Sequence, residues 1–318
     1  MSCPGGCSRR VAESDLWSAR DVSQRWTPQR VEPRAPPALR GTVAFVTERV
    51  AYQGDPGAFS EEAVRVLFPE ADAFPHRTLR EAFDAVTAGR ARYGVVPVEN
   101  SQAGSINETY DLLAAGGAWI VGEVVVSVAH ALLALAGTRL EDVRVVSSHP
   151  QALAQCQDFL ARLDAEMVAV FDTAGAARRI AEQRREGEAA VASERSAELY
   201  GLEVLATGIQ TDPGNRTRFA AIAMDPQPLG DQDKTSLTFS TRDVPGALVH
   251  CLRPFAERGL NLSKLESRPL GGGEAWRYRF FLDVDAGLED PELRAALEDL
   301  ERDAAAVRVL GSYPRWKP

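Results

Sequence analysis

The stretch "GNRTRF" at residues 214–219 places Asn215, Thr217 and Arg218 directly before the apolar run "FAAIAM". The plainest interpretation is structural, because the preceding "TDPG" holds residues that favour turns and Thr217 can begin a buried strand. The same side chains can also bind a small anion, since the hydroxyl and the amide donate hydrogen bonds and the guanidinium presents a planar fork to a carboxylate. The elements around the stretch decide between these two interpretations.

Three other apolar runs end in side chains of the same kind. They are "GVVPVENS", "VRVVSSHPQ" and "VAVFDTAGAA", and their polar ends hold Asn100, Ser101, Ser148, His149, Gln151 and Thr173. Ligands of an open parallel sheet bind beyond the carboxyl ends of its strands, so these residues are expected to line one cleft. Two of the runs lead into helices whose first N–H groups can seat a carboxylate. The structural alternatives are that Asn100 and Ser101 cap a helix and that His149 is an ordinary structural histidine.

The elements that must position these side chains form an α/β pattern from residue 48 to residue 226. Short β-branched runs alternate with helical patterns, which predicts mainly parallel sheets covered by helices. The apolar stretch at 118–137 is long enough for two strands that cross between two lobes. The stretch at 205–224 is expected to return the chain to the first lobe. Two lobes joined in this way leave a cleft between them.

Residues 227–234 form a linker, and residues 235–318 have a different pattern. Strand and helix patterns follow in the order βαββαβ, which is the ferredoxin-like unit. In its first helix Asp243 is expected to act as the cap, Pro245 to start the helix and Gly259 to end it. Pro254 lies inside that helical pattern and is expected to bend it. The segment has the size of a separate small domain.

Composition limits the classes of function. The net charge of −9 and the pI near 5.2 argue against a general nucleic-acid-binding protein, because such a protein needs a basic surface for phosphates. The longest apolar run contains Glu123 and His130 and is too short for a clean membrane span.

Motifs of metal, zinc-protease and serine-hydrolase sites are missing, so no metal and no cofactor is expected. Cys156 and Cys251 fall in helical patterns and are expected to pack as small apolar residues.

Residues 1–47 are rich in arginine, proline and serine and are predicted to be a disordered extension. The motif "CPGGC", with Cys3 and Cys7, is a weak candidate for metal binding or redox chemistry, because no histidine or second cysteine pair accompanies it. The extension has no apolar core of a signal peptide, which predicts a cytoplasmic protein.

Several motifs together resemble prephenate dehydratase. They are "PVENSQAGSINET", "SSHPQALAQC", "DTAGAA" and "NRTRF", and the downstream "PGALVHCLRPFAERGLNLSKLESRP" is similar to the phenylalanine-binding ACT domain of that family. The resemblance covers about residues 50–316. It implies a two-lobed, periplasmic-binding-protein-like catalytic domain over residues 48–226, followed by a ferredoxin-like ACT domain over residues 235–318.

The family converts prephenate to phenylpyruvate, in which the ring loses a hydroxyl and a carboxylate and becomes aromatic. The resemblance implies that Thr217 is the essential residue and donates a proton or a hydrogen bond to the leaving hydroxyl. It implies that Arg218 holds a substrate carboxylate and that Phe219 packs behind the site. The remaining substrate-lining residues would be Asn100, Ser101, Ser148, His149, Gln151, Thr173 and Asn215.

The ACT domain implies a second ligand, L-phenylalanine, which would regulate turnover by feedback. In the family the start of the first ACT helix meets the end of the second ACT strand across a dimer interface, so a homodimer or a homotetramer is expected. By this resemblance the effector-binding residues are Gly246, Ala247, Leu248, Glu266, Ser267, Arg268 and Pro269. The alternative for Glu266 and Arg268 is a surface ion pair of little energetic worth.

The sequence departs from the family pattern in its first loop. The family has Gly-Pro-x-Gly-Thr-Phe-Ser, whereas this chain reads "GDPGAFS" with Ala58 in place of the threonine. Substrate affinity would differ if that threonine contacts substrate, and nothing functional would change if it only caps a helix. No chorismate mutase segment precedes the catalytic domain, so a monofunctional enzyme is expected.

Two alternatives to prephenate dehydratase stay open at this point. Arogenate differs from prephenate in having an amino group in place of a keto oxygen, and the sequence discriminates poorly between the two substrates. A two-lobed cleft also occurs in solute-binding and sensor proteins, which capture a ligand without chemistry.

Overall fold

The computed structural model describes residues 48–270 and 277–317. The extension at 1–47, with its predicted disorder and the "CPGGC" motif, lies outside these ranges.

The first lobe is a sheet of six strands covered by three helices. The sheet has the order β2-β1-β3-β11-β5, and β4 pairs with β3. Its strands are β1 (Arg49–Gln53), β2 (Asp72–His76), β3 (Tyr93–Asn100), β4 (Gly104–Ser105), β5 (Trp119–Ser127) and β11 (Arg216–Ala223), and its helices are α1 (Phe59–Leu67), α2 (Leu79–Thr87) and α3 (Asn107–Ala115).

The second lobe has a sheet of five strands in the order β10-β6-β9-β7-β8. Its strands are β6 (Ala131–Ala134), β7 (Val145–Ser148), β8 (Glu166–Ala169), β9 (Glu188–Ala192) and β10 (Glu203–Ala206), and its helices are α4 (Pro150–Gln155), α5 (Gln157–Leu160), α6 (Thr173–Gln183) and α7 (Glu194–Tyr200).

The C-terminal segment folds as predicted, with the element order βαββαβ. Its antiparallel sheet has the order β13-β14-β12-β15, and both helices pack on one face. The elements are β12 (Lys234–Ser240), α8 (Ala247–Glu257), β13 (Leu262–Pro269), β14 (Tyr278–Val284), α9 (Pro291–Asp303) and β15 (Ala306–Tyr313). The fold is therefore an α/β protein with a two-lobed domain followed by a ferredoxin-like domain.

Both predicted crossings between the lobes are confirmed. The stretch at 118–137 forms β5 in the first sheet and β6 in the second, and the chain returns from β10 to β11. The prediction of mainly parallel sheets holds only in part, because β11 runs antiparallel to both β3 and β5, and β6 runs antiparallel to β9 and β10. The reversed strands are the ones that cross between the lobes.

The single helix predicted after "SSHP" is divided at Cys156. The carbonyl of Gln155 accepts a hydrogen bond from the Thr211 N–H at 2.8 Å, and the Phe159 N–H turns to the Cys156 carbonyl instead. A contact from a distant part of the chain therefore interrupts the helical ladder, which local sequence does not encode.

Helix α8 starts later than predicted. Asp243 and Pro245 lie before it, and the N-cap is Gly246 with φ of 79°. A left-handed conformation at this position suits glycine, which has no Cβ. Gly259 lies two residues beyond the end of the helix and also has a positive φ, of 67°. Pro254 stays inside the helix and is buried.

The C-terminal sheet packs its helix-free face against the first lobe. Phe281, Leu310 and Tyr313 belong to the same buried apolar cluster as Tyr110 and Ile120 of the first lobe. At the closest point a Cβ on Gly311 would lie 2.0 Å from the carbonyl oxygen of Ile120. Only glycine therefore allows β15 and β5 to approach this closely.

Replacing Gly311 by alanine is expected to lower the free energy of unfolding by about 1–3 kcal/mol, because a backbone atom cannot move aside as a side chain can. Urea denaturation of the full chain measures the effect. Gly230→Ala is the matched control, since its Cβ would meet only Pro314 at an ordinary contact distance of 3.6 Å. Equal stability of the two variants would contradict the close approach of these strands.

Candidate active site

Thr217 and Asn100 form the centre of the candidate site. They pair across β11 and β3 at the ends of those strands, in the first lobe. Both side chains are buried, with Thr217 8% and Asn100 6% exposed. Nδ2 of Asn100 lies 3.0 Å from Oγ1 of Thr217 and 2.8 Å from Oδ1 of Asn215. The structure thus brings together three residues that the sequence predicted for one cleft.

The orientation of the Asn100 amide follows from its backbone partners. Its Oδ1 accepts hydrogen bonds from the N–H groups of Gln102 at 3.1 Å and Ala103 at 3.0 Å. A backbone N–H can only donate, so this atom must be the oxygen and the other must be the NH₂ group. Thr217 Oγ1 is therefore the acceptor of the Asn100 bond. Its own hydrogen stays free to donate to a ligand.

Asn215 adds a second donor beside Thr217. Its Oδ1 is taken by Asn100, so its Nδ2 must donate elsewhere. The residue is 1% exposed, and Nδ2 has no partner among the residues that the structure describes. A buried donor without a partner is costly, which favours a ligand acceptor at this position.

The second lobe contributes Gln151 and His149. Gln151 Nε2 lies 3.4 Å from Asn100 Oδ1 and so links the lobes. His149 is exposed and caps α4, with Nδ1 accepting from the Gln151 N–H at 3.2 Å. Although the residue is exposed overall, partial desolvation of its ring lowers the pKa of His149 from 6.5, against the opposing effect of Asp172. A neutral ring with Nδ1 as acceptor carries its proton on Nε2, so His149 offers one further neutral donor.

Four other predicted residues lie outside this group of hydrogen bonds, each in its own environment. Ser101 Oγ accepts from the Arg216 N–H at 3.0 Å, which ties the turn after β3 to β11. Ser148 is corrected as a ligand group, because it is fully buried and its hydroxyl donates to the Val191 carbonyl at 2.6 Å. Thr173 is the half-buried first residue of α6. Phe219 is buried and packs with apolar residues of β1, β3, β5 and α1.

The "GDPGAFS" loop joins the first lobe to the second. Pro56 accepts from the Tyr200 hydroxyl at 2.6 Å, and Gly57 accepts from Ser193 at 2.7 Å. Ala58 is the N-cap of α1 and gives no side-chain hydrogen bond to it. The family's threonine would therefore stand at a capping position.

The expected carboxylate seat at α6 is occupied by the protein itself. Asp172 accepts from the Ala174 N–H at 2.8 Å and from the Asp55 N–H at 2.9 Å. The carboxylate thus fills the helix N-terminus that the sequence suggested for a ligand.

The structure corrects the prediction for Arg218. Side chains alternate along a strand, so Arg218 leaves the face of the sheet opposite to Thr217. Its guanidinium binds Asp283 of β14 at 2.7 Å, Glu99 at 3.1 Å and Glu123 at 3.3 Å. These carboxylates belong to the protein, so Arg218 is not open to a substrate carboxylate.

Arg218 is part of a buried ionic cluster between the first lobe and the C-terminal sheet. We define this cluster as Arg218, Glu123, Lys234 and Asp283, of which Lys234 binds Glu123 at 3.0 Å. Burial alone would raise the pKa of Asp283, but Arg218 and Lys234 outweigh it and hold the pKa below its usual range. Ser236 also donates to Asp283, at 2.5 Å.

Sequence reasoning missed Glu123, Lys234 and Asp283 as a group. The signal was present for Glu123 and Asp283, because each is a charged residue inside an apolar strand pattern, whereas Lys234 directly follows the polar linker. Charged side chains are rarely buried unless they are paired. That rule predicts that such residues find one another, although it does not say which strands bring them together.

The two predicted effector stretches lie apart in the fold. Gly246, Ala247 and Leu248 form the start of α8, and Glu266–Pro269 end the edge strand β13. Glu266 accepts from Ser105, and Arg268 binds Asp111 at 2.9 Å. The alternative of an ion pair therefore holds for Arg268, although its partner is in the first lobe. Ser267 is exposed.

Two further properties concern ions and membranes. Within residues 48–270 and 277–317, no group of three or more histidine, cysteine, aspartate or glutamate side chains is arranged to hold a metal ion. No helix in these ranges has the length and apolar character needed to cross a bilayer.

The chain matches two family models, prephenate dehydratase over residues 50–227 and the ACT domain over residues 235–302. It is 46% identical over 276 residues to arogenate dehydratase/prephenate dehydratase 2, chloroplastic, of Arabidopsis thaliana, which covers 84% of this chain and 72% of the relative.

Solved structures are similar over the same region. The prephenate dehydratase of Arthrobacter aurescens in complex with L-Phe is 34% identical, with a TM-score of 0.77 and coverage of 84% of this chain and 90% of that one. GqqA, described as a novel type of quorum quenching acylase, is 37% identical, with a TM-score of 0.77 and coverage of 85% and 98%. With its two-lobed domain and its C-terminal ACT domain, this chain belongs to the prephenate dehydratase family.

Proposed function

We propose that the protein is a prephenate dehydratase, which converts prephenate to phenylpyruvate in the biosynthesis of L-phenylalanine. The observation that carries this proposal is the Thr217 hydroxyl, which accepts from Asn100 and keeps its hydrogen for a ligand. Loss of a ring hydroxyl needs such a donor at the leaving oxygen. A solute-binding protein can use such a hydroxyl to hold its ligand, and the match to the prephenate dehydratase family favours the enzyme.

The reaction breaks two bonds of the substrate. The ring carboxylate leaves as CO₂, and the electron pair of its C–C bond enters the ring. The C–O bond breaks at the opposite position, and the hydroxide that leaves is converted to water by a proton. Thr217 donates the hydrogen bond or proton to this oxygen as charge develops on it, which stabilises the transition state more than the ground state.

The corrected position of Arg218 suits this chemistry. A guanidinium on the departing carboxylate would stabilise the charged ground state and oppose the loss of that charge as CO₂. The neutral donors linked to Thr217 through Asn100 are Asn215 Nδ2 and Gln151 Nε2, and His149 Nε2 is a further neutral donor at the start of α4. We assign them to substrate orientation, with Ser101 and Thr173 at the edge of the cleft.

Arogenate is the alternative substrate, and similar proteins named arogenate dehydratase support it. Hydrolysis by an acylase is a further activity to assay, because GqqA is described in that way. The proposal requires that prephenate or arogenate is the preferred substrate and that an N-acyl amide is turned over more slowly.

We also propose that L-phenylalanine regulates the enzyme through the ACT domain. The relative from Arthrobacter aurescens was solved with L-Phe. In this chain no hydrogen bond joins residues 246–248 to residues 266–269 among the described atoms. The edge strand β13 is open to a second copy, so a homodimer or homotetramer would complete the effector site.

The predicted cytoplasmic location stays a prediction, and the similar Arabidopsis protein is named chloroplastic.

Thr217→Val removes the hydroxyl with little change in volume and is expected to lower kcat by about 10²-fold or more, within the range for acid catalysis. KM is expected to change little, because the bond acts mainly in the transition state. Phenylpyruvate formation from prephenate measures both constants. Thr217→Ser keeps the hydroxyl and is expected to retain more activity than the valine variant. Equal kcat in wild type and Thr217→Val would remove the proposed role.

Ser267→Ala is expected to weaken inhibition by L-phenylalanine in the full chain and to leave kcat without effector within about twofold. Ser267 is exposed at the end of β13 and has no partner to lose within the described part of the chain. The measurement is the phenylalanine concentration for half inhibition. Ser263→Ala is a control on the same strand, outside the predicted effector stretch; it loses a hydrogen bond to Asp285 and is expected to leave half inhibition unchanged. An unchanged half-inhibition value for Ser267→Ala would contradict its assignment as an effector residue.

A further inference from the structure

We propose that Asp283 and Lys264 of the C-terminal domain are positioning residues for the dehydratase cleft, which rests on the proposed function of Thr217. From the face of the sheet opposite to the cleft, Asp283 binds Arg218, which follows Thr217 in the chain. Lys264 binds Glu99, which precedes Asn100. The C-terminal domain would then be part of the catalytic apparatus even without an effector.

The strand register places Arg218 and Glu99 on the face of the sheet opposite to the cleft. Thr217 pairs with Asn100, and the next pair is Arg218 with Glu99. Because side chains alternate along strands, the first pair faces the cleft and the second faces the C-terminal sheet. A contact that holds Arg218 and Glu99 therefore also restrains the backbone that carries Thr217 and Asn100.

Charged groups of the C-terminal domain bind both members of the second pair. Asp283 Oδ2 lies 2.7 Å from Arg218 Nη1, and Lys264 Nζ lies 3.2 Å from Glu99 Oε1. Arg218 and Glu99 are themselves 3.1 Å apart. The side chains of Arg218 and Asp283 are 15% and 6% exposed, so solvent screens their bond only weakly. Lys264 is 10% exposed but Glu99 is 39% exposed, so the Lys264–Glu99 bond is screened more strongly.

Strand β11 pairs regularly with β5 here, with Thr217 opposite Val126, but its pairing with β3 is irregular. Its register shifts between Arg218 and Phe219, β11 begins at Arg216 and β3 ends at Asn100. Thr217 therefore lies beyond an irregularity, in the short end of a strand. A displacement of about 1 Å at a catalytic group can cost about 10²-fold in rate, and the ion pairs add restraint on the β3 side, where the ladder is irregular.

A second link reaches the turn that orients Asn100. Lys264 donates to Ser105 Oγ at 2.7 Å, and Glu266 accepts from the same hydroxyl. Ser105 belongs to β4, whose Gly104 pairs with Asn100. The turn between them supplies the N–H groups of Gln102 and Ala103 that bind Asn100 Oδ1. The C-terminal domain thus holds the Asn100 side of the cleft as well.

The first test is Asp283→Asn and Lys264→Met in the full chain, assayed with prephenate well below the unfolding temperature. Each is expected to lower kcat by about tenfold or more and to change KM by less than about threefold, because misplacement of Thr217 affects the transition state most. A kcat within twofold of wild type in both variants would overturn the proposal.

Asp111→Asn is the matched control. Asp111 also forms an ion pair across the contact of the two domains, with Arg268, but it touches neither Arg218 nor Glu99. Its kcat is expected to stay within about twofold of wild type. An equal loss of kcat in this variant would mean that domain contact in general, and not the two positioning residues, determines activity.

The double variant Arg218→Met/Asp283→Asn separates positioning from stability. It removes both charges and leaves Lys234 paired with Glu123, so its unfolding temperature is expected to exceed that of Asp283→Asn. Its kcat is expected to remain low, because the link to the strand is missing. Recovery of kcat together with stability would show a purely structural role and overturn the proposal.

A crystal structure of Asp283→Asn gives an outcome that does not depend on turnover. The distance from Asn100 Nδ2 to Thr217 Oγ1, 3.0 Å here, is expected to lengthen beyond hydrogen-bond range. An unchanged distance would contradict the inference. Wild type that converts neither prephenate nor arogenate would contradict the proposed function alone.

Discussion

The buried ionic cluster is the constraint on which the arrangement of the domains depends. Glu123, Asp283 and Lys234 are each less than 10% exposed. Taking such groups out of water costs several kcal/mol per ion unless each finds a partner with good geometry. Arg218 and Lys234 meet this requirement only if the C-terminal sheet lies against the first lobe in one position. The close approach of Gly311 to Ile120 then follows from the same placement.

Strand β11 divides two tasks between neighbouring residues. Thr217 faces the cleft and offers a hydroxyl whose hydrogen is free, while Arg218 faces the C-terminal domain and binds carboxylates. The triplet "TRF" in the sequence therefore combines the proposed catalytic hydroxyl, a domain contact and core packing in three successive side chains. Under the proposed function, this separation would keep a permanent positive charge away from the substrate carboxylate that leaves as CO₂.

Much of the fold could be predicted from the sequence, because its patterns are local. Periodicity indicated the two lobes, both crossings and the βαββαβ order of the last domain. The break at Cys156 could not be predicted, since it depends on a hydrogen bond from Thr211. The sequence also misplaces the start of α8. Asp243 was taken as the cap, but the N-cap is Gly246, which adopts a left-handed conformation.

The candidate site was predictable to the extent that strand ends determine it. Asn100, Gln151, Asn215 and Thr217 do lie together, as strand-end reasoning expected. Arg218 was misplaced because adjacent residues of a strand face opposite sides of the sheet, so Thr217 and Arg218 cannot both face the cleft. The helix N-terminus of α6 and Ser148 were misjudged for a different reason, since the fold supplies partners for their polar atoms: Asp172 for the helix N-terminus and the Val191 carbonyl for Ser148.

The most direct test of this account is a crystal structure of the protein with phenylpyruvate in the cleft. The account predicts that the ligand lies within hydrogen-bond distance of Thr217 Oγ1 while the Arg218 guanidinium remains on Asp283. A structure in which Arg218 leaves Asp283 and binds the ligand carboxylate would contradict it.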